Sequence, residues 1–224
     1  MEDQQKSNII RLVGTVHSER EYSHELYGET FYLFSLAVQR LSDKTDYIQV
    51  TASERVIEDI NLSPGTRIQV DGQLRSYNKQ ENSHNRLILT VFAQKVGLCE
   101  ETCDDPNQIV LEGYICKKPV FRTTPFGREI TDLLVAVNRL YNKSDYIPVI
   151  AWGRNARFAG KLGIGEKIRI EGRFQSREYQ KNFSETESET RMAYEVSVSR
   201  LERLEEEENG EPPDASSKEK VLTS

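Results

Sequence analysis

The chain has 224 residues, a formal net charge of −6 and 37% hydrophobic residues, which suits two small domains and a polar tail better than one large core. It holds no apolar run of the roughly 18 residues that a membrane helix needs. The acidic, polar start MEDQQKSN lacks the basic-then-apolar order of a secretory signal, so a cytoplasmic chain without a membrane partner is expected.

In chain order, period-two alternation predicts strands near 8–17, 30–41, 47–53, 66–77 and 86–96. A helical piece, RVIEDINL, falls between the third and fourth, and Gly65 stands where such a helix stops. A polar stretch over 99–106 carries Cys99 and Cys103, which with Cys116 are too few for a disulfide scaffold. No histidine or further cysteine lies near enough in sequence to complete a tetrahedral metal site, so reduced thiols and no metal or cofactor are expected.

From Asn107 the same series begins again. Strands are predicted near 108–117, 129–141, 146–152, 167–179 and 191–200, with NARFAGKL as the helical piece and Gly165 after it. A constant shift of 99 aligns Asn8 with Asn107, Gly14 with Gly113, AVQRL with AVNRL, and DYIQVTASERVI with DYIPVIAWGRNA. The shift becomes 100 where GTRIQVDG meets GEKIRIEG, then about 105 past the polar stretch KNFSETESET. One domain is written twice. The expected division is 1–98 and 107–203 as domains, 99–106 as a linker, and 204–224 as a disordered acidic tail.

Five strands with a helix between the third and fourth is the order of an oligonucleotide-binding (OB) barrel, although pattern alone leaves other small barrels open. The fold class expected is therefore all-β, with two tandem five-stranded OB barrels.

Charge separates the copies. Residues 1–106 hold 11 Lys/Arg against 17 Asp/Glu, residues 107–201 hold 16 against 11, and residues 202–224 hold 3 against 8. An acidic total hides a basic second copy. In its third strand, Ile147, Val149 and Ala151 share the core face, as Ile48, Val50 and Ala52 do in the first copy. The other face reads Tyr146, Pro148, Ile150, Trp152 and Arg154, against Tyr47, Gln49, Thr51, Ser53 and Arg55. The fourth strand turns Lys167, Arg169, Arg173, Arg177 and Tyr179 outward, where the first copy has Arg67, Gln69, Gln73 and Tyr77. The loop after the first strand carries Arg122 and Arg128 in place of Ser23 and Glu29.

A sheet face with aromatics among arginines suits single-stranded nucleic acid, because unpaired bases stack on the rings and phosphates follow the cations. Duplex reading calls for a basic helix in the major groove, and these helices are short. An enzyme is not expected: His17, His24 and His84 all lie in the acidic copy, without a nucleophile or phosphate-loop motif. A protein–protein module acting as a replication accessory factor and a single-stranded RNA binder are the rival readings.

The second copy closely resembles the bacterial single-stranded DNA-binding protein family. The resemblance rests on NQIVLEGYICKKPVFRTTPFG, LVAVNR, DYIPVIAWGRNA and LGIGEKIRIEGRFQSREY. It implies an OB fold and sequence-tolerant binding of single-stranded DNA in replication, recombination and repair. The family's stacking aromatics fall on Tyr146, Trp152 and Tyr179, with Tyr141 a looser match, and its basic positions fall on Arg122 and Arg154. The family assembles four OB folds, which for two per chain implies a homodimer, and its tail recruits replication and repair proteins. The first copy lacks the Trp-Gly pair and the basic loop, and the chain ends EKVLTS without the family's terminal aromatic.

Overall fold

Alternation with a period of two puts successive side chains on opposite faces of a strand, and both repeats fold accordingly. The computed structural model describes residues 7–40, 42–81, 84–99, 107–139, 143–182 and 188–205. The first repeat comprises β1 (Asn8–Val16), β2 (Glu21–Leu26), β3 (Glu29–Gln39), β4 (Thr45–Ser53), α1 (Glu54–Ile57), β5 (Arg67–Glu81) and β6 (His84–Leu98). The second comprises β7 (Asn107–Ile115), β8 (Val120–Thr123), β9 (Glu129–Asn138), β10 (Ser144–Trp152), α2 (Gly153–Ala159), β11 (Lys167–Asn182) and β12 (Ser188–Arg203).

In the first repeat β1 pairs with β5, β5 with β6, β6 in parallel with β4, β4 with β3, and β3 again with β1. The second closes the same ring through β7, β11, β12, β10 and β9, again with one parallel pair. These are two five-stranded OB barrels with a helix between the third and fourth strands. Each adds a short strand, β2 or β8, inside the stretch read from sequence as a loop, hairpinned onto β3 or β9. α1 stops well short of the eight residues of RVIEDINL. The Asn61 side chain accepts the Ser63 amide at 3.1 Å, a local turn that competes with the helix. The tail, expected from residue 204, lies outside the described residues beyond Glu205.

The residues assigned to the core face are buried: Ile48, Val50, Ala52, Ile68, Val70 and Leu74 in one barrel, Ile147, Val149, Ala151, Ile168, Ile170 and Phe174 in the other. Gly72 and Gly172 hold a register shift in β5 and β11. A Cβ there would lie 2.2 Å from the carbonyl oxygen of Phe92 or Ser197, so the strands approach too closely for any side chain.

The barrels join through β1 and β7, which pair antiparallel with Ile10 opposite Ile109, Asn8 opposite Leu111 and Leu12 opposite Asn107. Residues 10 and 109 correspond in the repeat, and the two flanking pairs exchange under it. The seam is an internal two-fold axis.

A reciprocal clamp lies beside it. Asp46 and Asp145, the acids of the two DYI motifs, are fully buried. The Asp46 carboxylate accepts the amide and hydroxyl of Ser176 at 2.7 and 2.8 Å across the seam, and Arg40 Nε at 2.7 Å from its own barrel. Asp145 accepts the Ser76 amide at 2.6 Å and pairs with Arg75 at 3.1 Å, both across the seam, and with Arg139 at 2.8 Å. Ser76 and Ser176 are themselves repeat partners. Tyr194 adds a further link by donating to the Tyr47 carbonyl at 2.9 Å.

Burial alone would raise the Asp46 carboxyl, but the hydrogen bonds from Arg40 and Ser176 outweigh it and hold the group below the usual carboxylate value. Its contribution to stability is therefore present above the unfolded value of about 3.9 and is lost as pH falls through the lower folded value. Asp46→Asn should flatten the pH dependence of unfolding in that acid window, checked by thermal melts at stepped pH. Asp145→Ala leaves Arg75, Arg139 and the Ser76 amide without their acceptor and should destabilise the chain by about 3 kcal/mol in urea denaturation. A loss under about 1 kcal/mol, the range of a surface pair, would deny the clamp its structural weight.

Candidate nucleic-acid interface

Register places the outward residues of neighbouring strands in rows. On the second barrel Tyr146 stands opposite Ala136, Ala136 opposite Tyr114, and Tyr114 opposite Lys167. The row is aromatic at two points and ends in a cation. Tyr146 is 47% exposed and Tyr114 half-buried. Sequence reasoning missed Tyr114. The signal was available in β7, where Tyr114 shares its face with Glu112 and Val110 and faces Thr15 in the repeat.

Trp152 closes β10 at 37% exposure, and its Nε1 donates to Ser197 Oγ at 3.3 Å. Ser197 lies in register with Arg173 on β11, so the strands bring Trp152, Ser197 and Arg173 together. Gly153 follows Trp152 with φ +54, a left-handed conformation that turns the chain from strand into α2 and that glycine adopts without strain. Arg154 comes next, exposed on the first turn of α2. The Trp-Gly-Arg run is thus one turn that carries an exposed ring and, two residues on, an exposed cation.

Ile150 departs from the expectation. It was placed outward with Trp152, yet it is 2% exposed. It sits where β10 meets β12 in parallel, flanked in register by Asp132 and Ser197, so strands on both sides cover it. The apolar face of β10 is therefore interrupted between Pro148 and Trp152.

The arginines divide into two groups. Arg122 bonds Asp132 at 2.7 Å, which raises its guanidinium pKa. Arg169 pairs with Glu112 and Glu171 and stands in register with Glu202. Arg177 meets Glu195 at 3.4 Å. Arg128, Arg154 and Arg173 form no ion pair with a described residue. Tyr179 lies on β11 opposite Arg191, in the part of the β11–β12 hairpin beyond the barrel. Tyr141 lies outside the described residues.

The matching row of the first barrel is Tyr47, Ala37, Thr15 and Arg67. With Thr15 in place of Tyr114, a cleft of about 350 Å³ opens there, lined also by His17, whose ring lies 4.4 Å from that of Tyr47. Near the end of β4 the first barrel is not the plain polar face its third strand suggested. Thr51 and Ser53 are buried, and Thr51 stands opposite Phe92 of β6, whose ring lies 5.8 Å from Phe31. Ring and hydroxyl have changed places: Trp152 with Ser197 in one barrel, Ser53 with Phe92 in the other.

Two closed OB barrels, one with an aromatic and cationic outer face, define a tandem protein of the oligonucleotide-binding class. The model of the single-strand binding protein family matches residues 7–99 and again 106–204. The chain belongs to that family, in a form with two copies in tandem. It is 37% identical over 81 residues to the single-stranded DNA-binding protein of Clostridium tetani, covering 33% of this chain and 56% of that one. Over 83 residues it is 34% identical to single-stranded DNA-binding protein 2 of Streptococcus agalactiae, covering 34% and 63%. The alignments thus span a little over half the length of these relatives. The crystal structure of the wild-type single-stranded DNA-binding protein from Thermus aquaticus matches over 92% of this chain and 96% of its own, with a TM-score of 0.74 and 23% identity.

Gly153→Ala forces a Cβ into the left-handed region and should cost about 1–2 kcal/mol while shifting the emission of Trp152. Unchanged emission together with unchanged stability would show that the turn does not need glycine.

Proposed function

We propose that the chain binds single-stranded DNA without sequence preference, chiefly through the outer face of the second barrel, and serves replication, recombination or repair. The observation that carries this is the grouping of half-exposed Trp152 with Arg154 and Arg173, continued by the row of Tyr146, Tyr114 and Lys167. Bases stack on the rings, and phosphates lie along cations not already neutralised within the barrel. Arg128 extends the cationic track, and Tyr179 and Tyr141 extend the stacking. Arg122, Arg169 and Arg177 add positive potential from within ion pairs, a smaller contribution than direct phosphate contact. The first barrel, with its acidic balance, binds more weakly. Two chains assemble four barrels as a homodimer. The division at 1–98, 99–106, 107–203 and 204–224 keeps both barrels entire and leaves the acidic tail to meet protein partners.

Titration with an oligothymidine should quench Trp152, the only tryptophan in the chain, and duplex DNA should do so far less. Trp152→Ala should weaken binding by about 1–3 kcal/mol, the range for one stacked base. Arg173→Ala should weaken all sequences alike and reduce the salt slope by about 0.7, one phosphate contact on a single strand. Tight oligothymidine binding that leaves Trp152 fluorescence unchanged would move the site elsewhere. Preferential competition by oligouridine would turn the reading toward RNA.

A further inference from the structure

The two barrels form one sheet whose ends are β2 and β8. Every residue of both strands is exposed. Among the described residues β2 hydrogen-bonds to β3 alone and β8 to β9 alone, so each presents an outer row of amides and carbonyls. Such edges are templates for another strand.

Both edges also carry exposed apolar side chains. Tyr22 is 66% exposed and Leu26 50% on one, Val120 56% and Phe121 46% on the other. At the adjoining turns Tyr27 is 99% exposed and Phe126 92%, and these two are repeat partners. Tyr27 has φ +52, a conformation unfavourable for an aromatic residue, and so fully exposed a ring does nothing for this chain's own core.

The charges are opposite. Segment 19–29 holds Glu19, Glu21, Glu25 and Glu29 with the single cation Arg20. Segment 117–128 holds Lys117, Lys118, Arg122 and Arg128 with no acid. Glu29 and Arg122 are paired within their own barrels. Glu19, Glu21, Glu25, Lys117, Lys118 and Arg128 form no ion pair with a described residue.

We propose that the acidic β2 edge of one copy docks on the basic β8 edge of the next, so that copies associate head to tail. A β2–β2 contact would set acids against acids, and a β8–β8 contact bases against bases, both unfavourable across a strand pair. Only the unlike contact is complementary. It joins two different surfaces and leaves each copy an edge for the next, so it generates assemblies larger than a two-fold dimer. If the chain coats single-stranded DNA, such assemblies place successive copies side by side along it.

Sedimentation velocity on the full chain without DNA tests this independently of the DNA-binding reading. Wild-type protein at low salt should show concentration-dependent species larger than a dimer, and these should dissolve as salt rises. Glu21→Lys with Glu25→Lys makes both edges basic, and Lys117→Glu, Lys118→Glu and Arg128→Glu together make both acidic. Each variant alone should lose these species, with association weakened about tenfold or more. An equimolar mixture should regain them as alternating arrays, a result that misfolding cannot produce. Wild-type protein that never exceeds a dimer, variants that associate like wild type, or a mixture without recovery would each overturn the proposal.

Discussion

The antiparallel contact between β1 and β7 is the constraint on which the rest of the molecule depends. A five-stranded barrel closes on itself, yet its first strand keeps one edge open along half its length. Joining that edge to its own copy satisfies both rows of backbone groups at once. Because Ile10 faces Ile109, the contact falls on the internal two-fold axis. The axis then dictates the pairing of Asp46 with Ser176 and of Asp145 with Ser76, each carboxylate reaching into the opposite barrel. The open edges that remain are pushed outward to β2 and β8.

Duplication under this constraint separates what must stay alike from what is free to change. Inward residues and the seam meet the same neighbours in both barrels, so they persist: Ile48 with Ile147, Leu12 with Leu111, Gly72 with Gly172. Outward residues meet solvent and have diverged. The divergence is not uniform, because the end of β4 and β10 is half covered by the neighbouring strand. There the barrels exchange the owner of the ring: Trp152 bonds Ser197 in one, and Ser53 and Phe92 hold the matching positions in the other. In the second barrel the ring sits at the chain's turn, next to Arg154. In the first it sits on β6, in contact with Phe31 and remote from any Trp-Gly turn.

Much of this was legible in the sequence because it rests on period and repetition. Alternation assigned the core face of β4, β5, β10 and β11, and the constant shift of 99 revealed the tandem barrels. What could not be read depends on pairings between strands distant in sequence. Ile150 has outward parity but lies at the parallel junction with β12, and parity along one strand is blind to a neighbour. Arg122 and Arg177 look like free cations until β9 and β12 bring Asp132 and Glu195 beside them. Tyr114 went unnoticed because its row crosses four strands. The strands β2 and β8 were hidden in segments too short and too irregular to show alternation, the first interrupted by a register shift between Tyr22 and His24.

The repeated DYI motif is kept for two separate reasons, and they explain why its copies diverge only after the third residue. Its aspartate belongs to the seam and its isoleucine to the barrel core, and neither role depends on nucleic acid. Positions beyond it alternate between the barrel core and its outer side, where Thr51 and Ile150 are covered only by a neighbouring strand, so every second residue was released to change. The basic excess of the second copy follows the same logic. Several of its arginines answer carboxylates that the fold itself brings near, and that part of the charge is neutralised locally. Arg128 at the β8–β9 turn, Arg154 at the start of α2 and Arg173 in the middle of β11 form no ion pair with a described residue. Geometry, rather than net charge, decides which cations are neutralised within the barrel.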